Sequence, residues 1–239
     1  MTSSGLKSAS PELPLASAAI DFSAAPVIVN VGSDESQRFY VNETVLRRSS
    51  KFFNAALGKE WKERQERTIN LPEGSPAAFN TYLNWLTSGK LYVSNQPETE
   101  RRQWSCDTRL LEAYLLGDKL SDVDYKDAAA DALANEFHTL RGGWYWSFCK
   151  NDRTNLYENT VAGASLRLLF VQSMLTHCGV QMLETEGEPN ALLHEMVMAM
   201  HTRGRPSKRQ FEEDVKACEF HEHEPGAENC YKNKRSRES

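Results

Sequence analysis

The sequence predicts an α+β fold, a small mixed sheet capped by helices, continuing into an all-α C-terminal extension. Three observations lead there. Val27, Val29 and Val31 recur at every second position, and Phe39 and Val41 share a face with Arg38 and Tyr40 on the other, which is the period-two pattern of half-buried strands. A helix follows with both ends marked: Ser75 at the N-cap, Pro76 at the first helical position and Gly89 as the stop. The second half then carries helical segments at 164–177, 190–201 and 207–220.

Taken in order, residues 1–24 are rich in Ser, Ala and Pro and are expected to be a disordered tail. The turn cluster Gly32-Ser33-Asp34-Glu35-Ser36 joins the first two strands into a hairpin. Asn42 caps a short helix with Val45 and Leu46. Ser49 or Ser50 caps the next, whose Phe52, Phe53, Ala56 and Leu57 share a face before Gly58. Thr68-Ile69-Asn70-Leu71 reads as a strand, ended by Pro72 and Gly74. Phe79, Tyr82, Leu83 and Leu86 form an i, i+3, i+4, i+7 stripe on the Pro76 helix. Leu91-Tyr92-Val93 reads as another strand, and residues 94–106 as a polar loop. Asp107 is placed to cap a helix through Lys119, with Leu110, Leu111, Tyr114 and Leu115 inward. Asp122 or Asp124 starts the next, and its repeated alanines (Ala128, Ala129, Ala132) imply close helix approach.

The chain has 239 residues, enough for one domain or two small ones, and a net charge of -5. A mildly acidic chain is a poor match to duplex nucleic acid, so no direct nucleic-acid binding is expected. No apolar stretch is long enough to span a bilayer, and Lys7 has no apolar block beside it, so neither a membrane span nor a signal peptide is expected. Five scattered cysteines favour reduced thiols and an intracellular protein, cytoplasmic or nuclear. Glycine-rich phosphate loops and Gly-x-Ser-x-Gly elbows are absent, and His138, His177, His194 and His201 are scattered, none of them beside a candidate nucleophile. No enzyme is expected.

The ordered set Val41-Asn42-Glu43-Thr44-Val45-Leu46, Ser49, Phe52-Phe53, Ile69-Asn70-Leu71-Pro72, Phe79, Leu86 and Thr87-Ser88-Gly89-Lys90-Leu91 resembles the BTB/POZ family. Leu111-x-x-Tyr114-x-Leu116-x-Asp118-Lys119-Leu120 resembles the helix that follows in that family. Many members carry His where this chain has Asn42. The second half resembles a fungal branch, in which a Tyr-Glu-Asn-Thr segment (Tyr157 to Thr160) precedes a helix of the kind at 165–175. The resemblance implies a BTB/POZ domain over 25–138, a linker over 139–163, a helical region over 164–220 and a polar Cys/His-containing tail over 221–239.

It also implies protein binding: an adaptor presenting a client to a cullin-type ubiquitin ligase or, alternatively, a self-associating scaffold or transcriptional cofactor, with a homodimer as one expected state. In BTB adaptors a hydrophobic-x-Glu element after the Phe-Phe helix docks the cullin. Trp61 and Glu63 stand at that place, although a Trp61 packed on its own domain reads equally well. Cys218-x2-His221-x-His223-x6-Cys230 is the one metal-like pattern. Two thiolates and two imidazoles suit tetrahedral zinc, yet the spacing is not that of a standard finger, and a polar tail with two unrelated cysteines fits the same letters. A resident cofactor is otherwise not expected. The aromatic run Trp144 to Phe148 reads as packing of the linker onto preceding helices. Lys232, Lys234, Arg235 and Arg237 read as a basic tail or a nuclear-import signal.

Overall fold

The computed structural model describes residues 23, 25–33, 36–58, 65–93, 108–141, 143–178, 182–184 and 186–238. Its sheet is three-stranded and mixed, order β2-β1-β3, from β1 (Val27–Val31), β2 (Gln37–Val41) and β3 (Thr68–Leu71). β1 runs antiparallel to β2 and parallel to β3, and the register sets Val29 opposite Phe39 and beside Ile69. Val27, Val29 and Val31 are fully buried, as their alternation requires. A parallel pair needs a crossover, and α1 (Glu43–Arg47) and α2 (Lys51–Ala56) lie within it. The predicted α+β architecture is therefore the observed one, with a helical C-terminal region.

The expected caps form. The side chain of Asn42 accepts from the Thr44 N–H at 2.9 Å, and that of Ser50 from Phe53 at 3.1 Å. Ser50 also donates to the Leu120 carbonyl at 2.7 Å, tying α2 to a turn far along the chain. In α3 (Pro76–Ser88) Ser75 caps the first turn, and Gly89 closes the last in a left-handed conformation at φ 72°. Phe79 and Tyr82 from this helix pack against Phe53, and Phe79 meets Phe39 edge-on at 5.1 Å.

Helices α4 (Arg109–Lys119) and α5 (Val123–His138) form a tight pair. Gly117 accounts for the closeness: a β-carbon there would lie 2.8 Å from Lys126 Cγ and 3.2 Å from the Lys126 backbone nitrogen. Asp122 caps α5 through the Tyr125 N–H at 3.1 Å and accepts from the Tyr82 hydroxyl at 2.8 Å and from Ser49. Asp107 lies outside the described residues; α4 starts at Arg109, and its N-cap Thr108 makes no side-chain cap bond. Leu91–Val93 is not a strand. It lies beside α3, where Thr81 Oγ1 reaches the Tyr92 carbonyl at 3.5 Å, and the three-stranded sheet contains no partner for it.

Residues 139–163, expected as a linker, hold a two-stranded ribbon of β4 (Leu140–Arg141) and β5 (Trp144–Tyr145) and the helix α6 (Lys150–Glu158). The aromatic run does pack backwards: Trp146 and Phe148 meet Phe137 of α5 at 5.2 and 5.1 Å, and Phe148 meets Phe170 at 5.1 Å. Phe170 belongs to α7 (Ser165–Ser173), which widens into a π-turn over Met174–Cys178. Arg167 organises the Tyr157–Thr160 segment by donating to the carbonyls of Tyr157 and Thr160. α8 (Asn190–Thr202), α9 (Lys208–Lys216) and α10 (Tyr231–Glu238) complete the chain, and one continuous hydrophobic core runs from Val27 to Phe220.

The histidines separated in sequence do not all stay apart. His138 Nδ1 lies 3.4 Å from His177 Nε2, and His177 stacks on Tyr145 at 4.4 Å and meets Phe211 edge-on. Burial, then the charges of His138 and Lys208, push the His177 imidazole from 6.5 down to about 4. The unfolded chain thus binds this proton at a higher pH than the folded one. Stability from His177 is complete above pH 6.5 and falls as the pH drops toward 4. Urea unfolding should show a loss of about 1 kcal/mol between roughly pH 7 and pH 5, allowing for the partial exposure of the ring. His177→Phe should flatten that slope; an unchanged slope would assign it to other groups.

Candidate metal centre

The four residues singled out at the C-terminal end come together. Ligand-type atoms of Cys218, His221, His223 and Cys230 all lie within 4.8 Å of one another. Local backbone explains how a short polar segment achieves this. α9 ends in a paired-bond cap, with Cys218 N–H bonded to the Val215 carbonyl and Glu219 N–H to the Asp214 carbonyl. Such a cap needs a left-handed residue, usually glycine, and here it is Cys218 at φ 62°. The reversal throws the chain back across α5. His221 and His223 therefore sit in an irregular segment and need not share a helix face. The 3-10 turn Ala227–Asn229 then returns Cys230 to the group.

Helix α5 supplies the floor. Asp124, Asp127 and Asp131, spaced i, i+3, i+7, all face this segment. Asp131 accepts from the Tyr231 hydroxyl at 2.7 Å, pairs with Lys232 at 2.8 Å and lies 3.1 Å from His221 Nε2. Asp127 accepts the Glu222 N–H at 2.8 Å, and Asp124 pairs with Lys234 at 2.7 Å. Glu222 in turn accepts from Tyr114 and from Lys126, both at 2.6 Å. Two members of the predicted basic tail, Lys232 and Lys234, are thus held in ion pairs with α5.

Burial, then the adjacent Cys230, push the Cys218 thiol up, because two thiolates so close repel each other. Burial likewise raises the Asp127 carboxyl, against the Glu222 N–H and the His221 and His223 rings. Burial raises Asp131 too, but hydrogen bonds from His221, Lys232 and Tyr231 outweigh it and hold the carboxyl below its ordinary value. His223 donates through Nδ1 to the Glu224 carbonyl at 2.8 Å, while its Nε2 is buried and has no hydrogen-bond partner among the described residues. A metal ion would satisfy that nitrogen.

Trp61 and Glu63 lie outside the described residues. Sequence reasoning found the Cys/His set but missed the α5 carboxylates, whose i, i+3, i+7 spacing within an alanine-rich helix was the available signal.

The first half has its own identity. A family model described as BTB/POZ domain matches residues 25–116, the span that holds the mixed sheet, α1 to α3 and most of α4. The chain therefore carries a BTB/POZ domain there. BTB/POZ domains are non-catalytic modules that mediate protein–protein interaction and oligomerisation. No curated protein matches the chain. No helix among the described residues is long and apolar enough to cross a membrane.

Proposed function

We propose that this chain is a protein-binding adaptor that presents a client to a cullin-type ubiquitin ligase. The BTB/POZ domain over 25–116 carries this reading. Trp61-Lys62-Glu63 supports it by sequence position, with Trp61 as an apolar anchor and Glu63 as a rim acceptor. The helical region supplies a surface suited to a client: Leu193, Val197 and Met200 form an exposed apolar stripe on α8. Free Cys149, Cys178, Cys218 and Cys230 fit a reducing cytoplasm or nucleus. A fungal source is supported only by the Tyr157–Thr160 segment and the helix after it.

The chain should co-purify with a cullin from cell extract, and the Trp61→Ala, Glu63→Ala double variant should lose it. Binding retained by the double variant would rule out this element. A second reading, a self-associating scaffold or transcriptional cofactor, is favoured by the outer strand β2, where Tyr40 is 63% exposed. It requires a dimer in light scattering at tens of micromolar, on the order of the weakest useful affinity. A third feature, compatible with either, is that Cys218, His221, His223 and Cys230 hold zinc, on the strength of their mutual proximity.

A further inference from the structure

We infer that a zinc ion on Cys218, His221, His223 and Cys230 works as a clasp, fastening residues 217–234 onto the acidic face of α5 with Asp131 and Asp127 as its supporting carboxylates. This rests on the zinc reading above and adds what the metal does.

The geometry divides the work between the two ends of each ring. His221 turns Nε2 toward Asp131 Oδ1 at 3.1 Å and Nδ1 toward Cys230 Sγ at 3.9 Å. That leaves Nδ1 for the metal and sets the Asp131 carboxylate behind the ring at ion-pair distance, short of hydrogen-bond geometry. A small rotation on metal binding would complete the carboxylate–histidine bond that orients such ligands. His223 uses Nδ1 on the Glu224 carbonyl and leaves the buried Nε2 for the metal. The His221 side chain is 3% exposed, so the ion would be largely shielded from water.

Without a cation this corner holds several unfavourable features together. Cys218 occupies a left-handed position that disfavours any β-carbon. His221 Nε2, His223 Nε2 and Asp127 Oδ2 are buried and lack hydrogen-bond partners among the described residues. Apolar anchoring is thin: among the described residues beyond Cys218, Phe220 and Cys230 are the buried hydrophobic ones, with Tyr231 partly buried against the core. The polar contacts to α5 are many but partly exposed, and such pairs contribute little each. Metal binding gives the unpaired nitrogen a partner and forms two metal–sulfur bonds in place of two S–H bonds, whose protons go to solvent.

The clasp has a consequence for the BTB/POZ domain. Glu222, His223 and Lys234 line a cleft of about 520 Å³ together with Arg48, Lys51 and Trp85. Releasing the segment would dismantle that cleft and uncover Lys126 and the α5 carboxylates. Metal occupancy thereby sets which surface the domain offers.

The test uses the full chain, stripped of metal under reducing conditions and titrated with Co²⁺. One ion per chain is expected, with the absorption of tetrahedral cobalt on two thiolates. Hydrogen exchange should slow on binding both in 217–234 and in α5. Cys218→Gly suits the left-handed backbone, so it should keep the fold and lose the cobalt spectrum. Asp131→Asn should keep the spectrum and weaken affinity about 10- to 100-fold. No cobalt spectrum, or one unchanged in Cys218→Gly, would overturn the zinc reading itself. A normal spectrum with unchanged exchange in α5 would overturn the clasp alone.

Discussion

Phe137→Ala is expected to destabilise the protein by about 3–5 kcal/mol, the range for deleting a fully buried phenylalanine. Phe137 is 0% exposed and closes α5. Its ring touches Trp146, Phe148 and Phe170, which come from the ribbon region and α7. Truncation would leave a cavity at the junction between the sheet-bearing half and the helical half. Neither neighbour can collapse freely into it, because each is also held by the others. Urea unfolding should show a lower midpoint with an unchanged slope, and Phe137→Leu should recover more than half of the loss. A loss below about 1 kcal/mol would mean that the two halves do not share this core.

Glu188→Gln is expected to cost about 3 kcal/mol at neutral pH, because it strands a buried guanidinium. Arg153 and Glu188 side chains are 4% and 2% exposed. Arg153 meets both carboxylate oxygens, one at 2.8 Å, and also donates to the Phe148 carbonyl at 2.6 Å. The Glu188 carboxylate additionally accepts the Glu184 N–H at 2.9 Å. Burial raises this carboxyl, but Arg153, the Glu184 N–H and Lys150 prevail and hold it below 4.5. Its stabilising effect is therefore present above pH 4.5 and is lost as the pH falls through the lower folded value. Glu188→Gln should weaken the acid-side decline as well as the neutral stability. Removing both charges, in Arg153→Met with Glu188→Leu, should restore most of the loss, since an apolar pair of similar volume avoids desolvating two ions. A double variant as unstable as Glu188→Gln would show that the pair contributes more than its own neutralisation.

Much of the first half is legible because its signals are local. The oxygen of Ser75, the ring of Pro76 and the missing side chain of Gly89 each act within one turn of helix. The valine alternation needs only a neighbour on each side. Leu91–Val93 shows the limit: its composition suits a strand, but a strand is defined by a partner, and composition names none. The same limit hides Arg153 and Glu188, 35 positions apart. It hides the approach of His138 to His177 as well. At the C-terminal end the ligand types were visible while their arrangement was not, because the arrangement depends on a left-handed cysteine and on carboxylates nearly a hundred positions upstream. Those carboxylates look like any solvated acidic face until the chain folds back over them.

The continuity of the core beyond residue 116 determines what can be transplanted. A fragment cut at the end of the family match would present Leu111, Tyr114 and Leu116 to water with α5 gone, and Tyr82 and Trp85 of α3 would lose the Tyr125 ring that packs on them. Anyone moving this module into another protein would have to carry the downstream helices along, so its smallest portable unit is set by shared packing and extends past the recognisable motif.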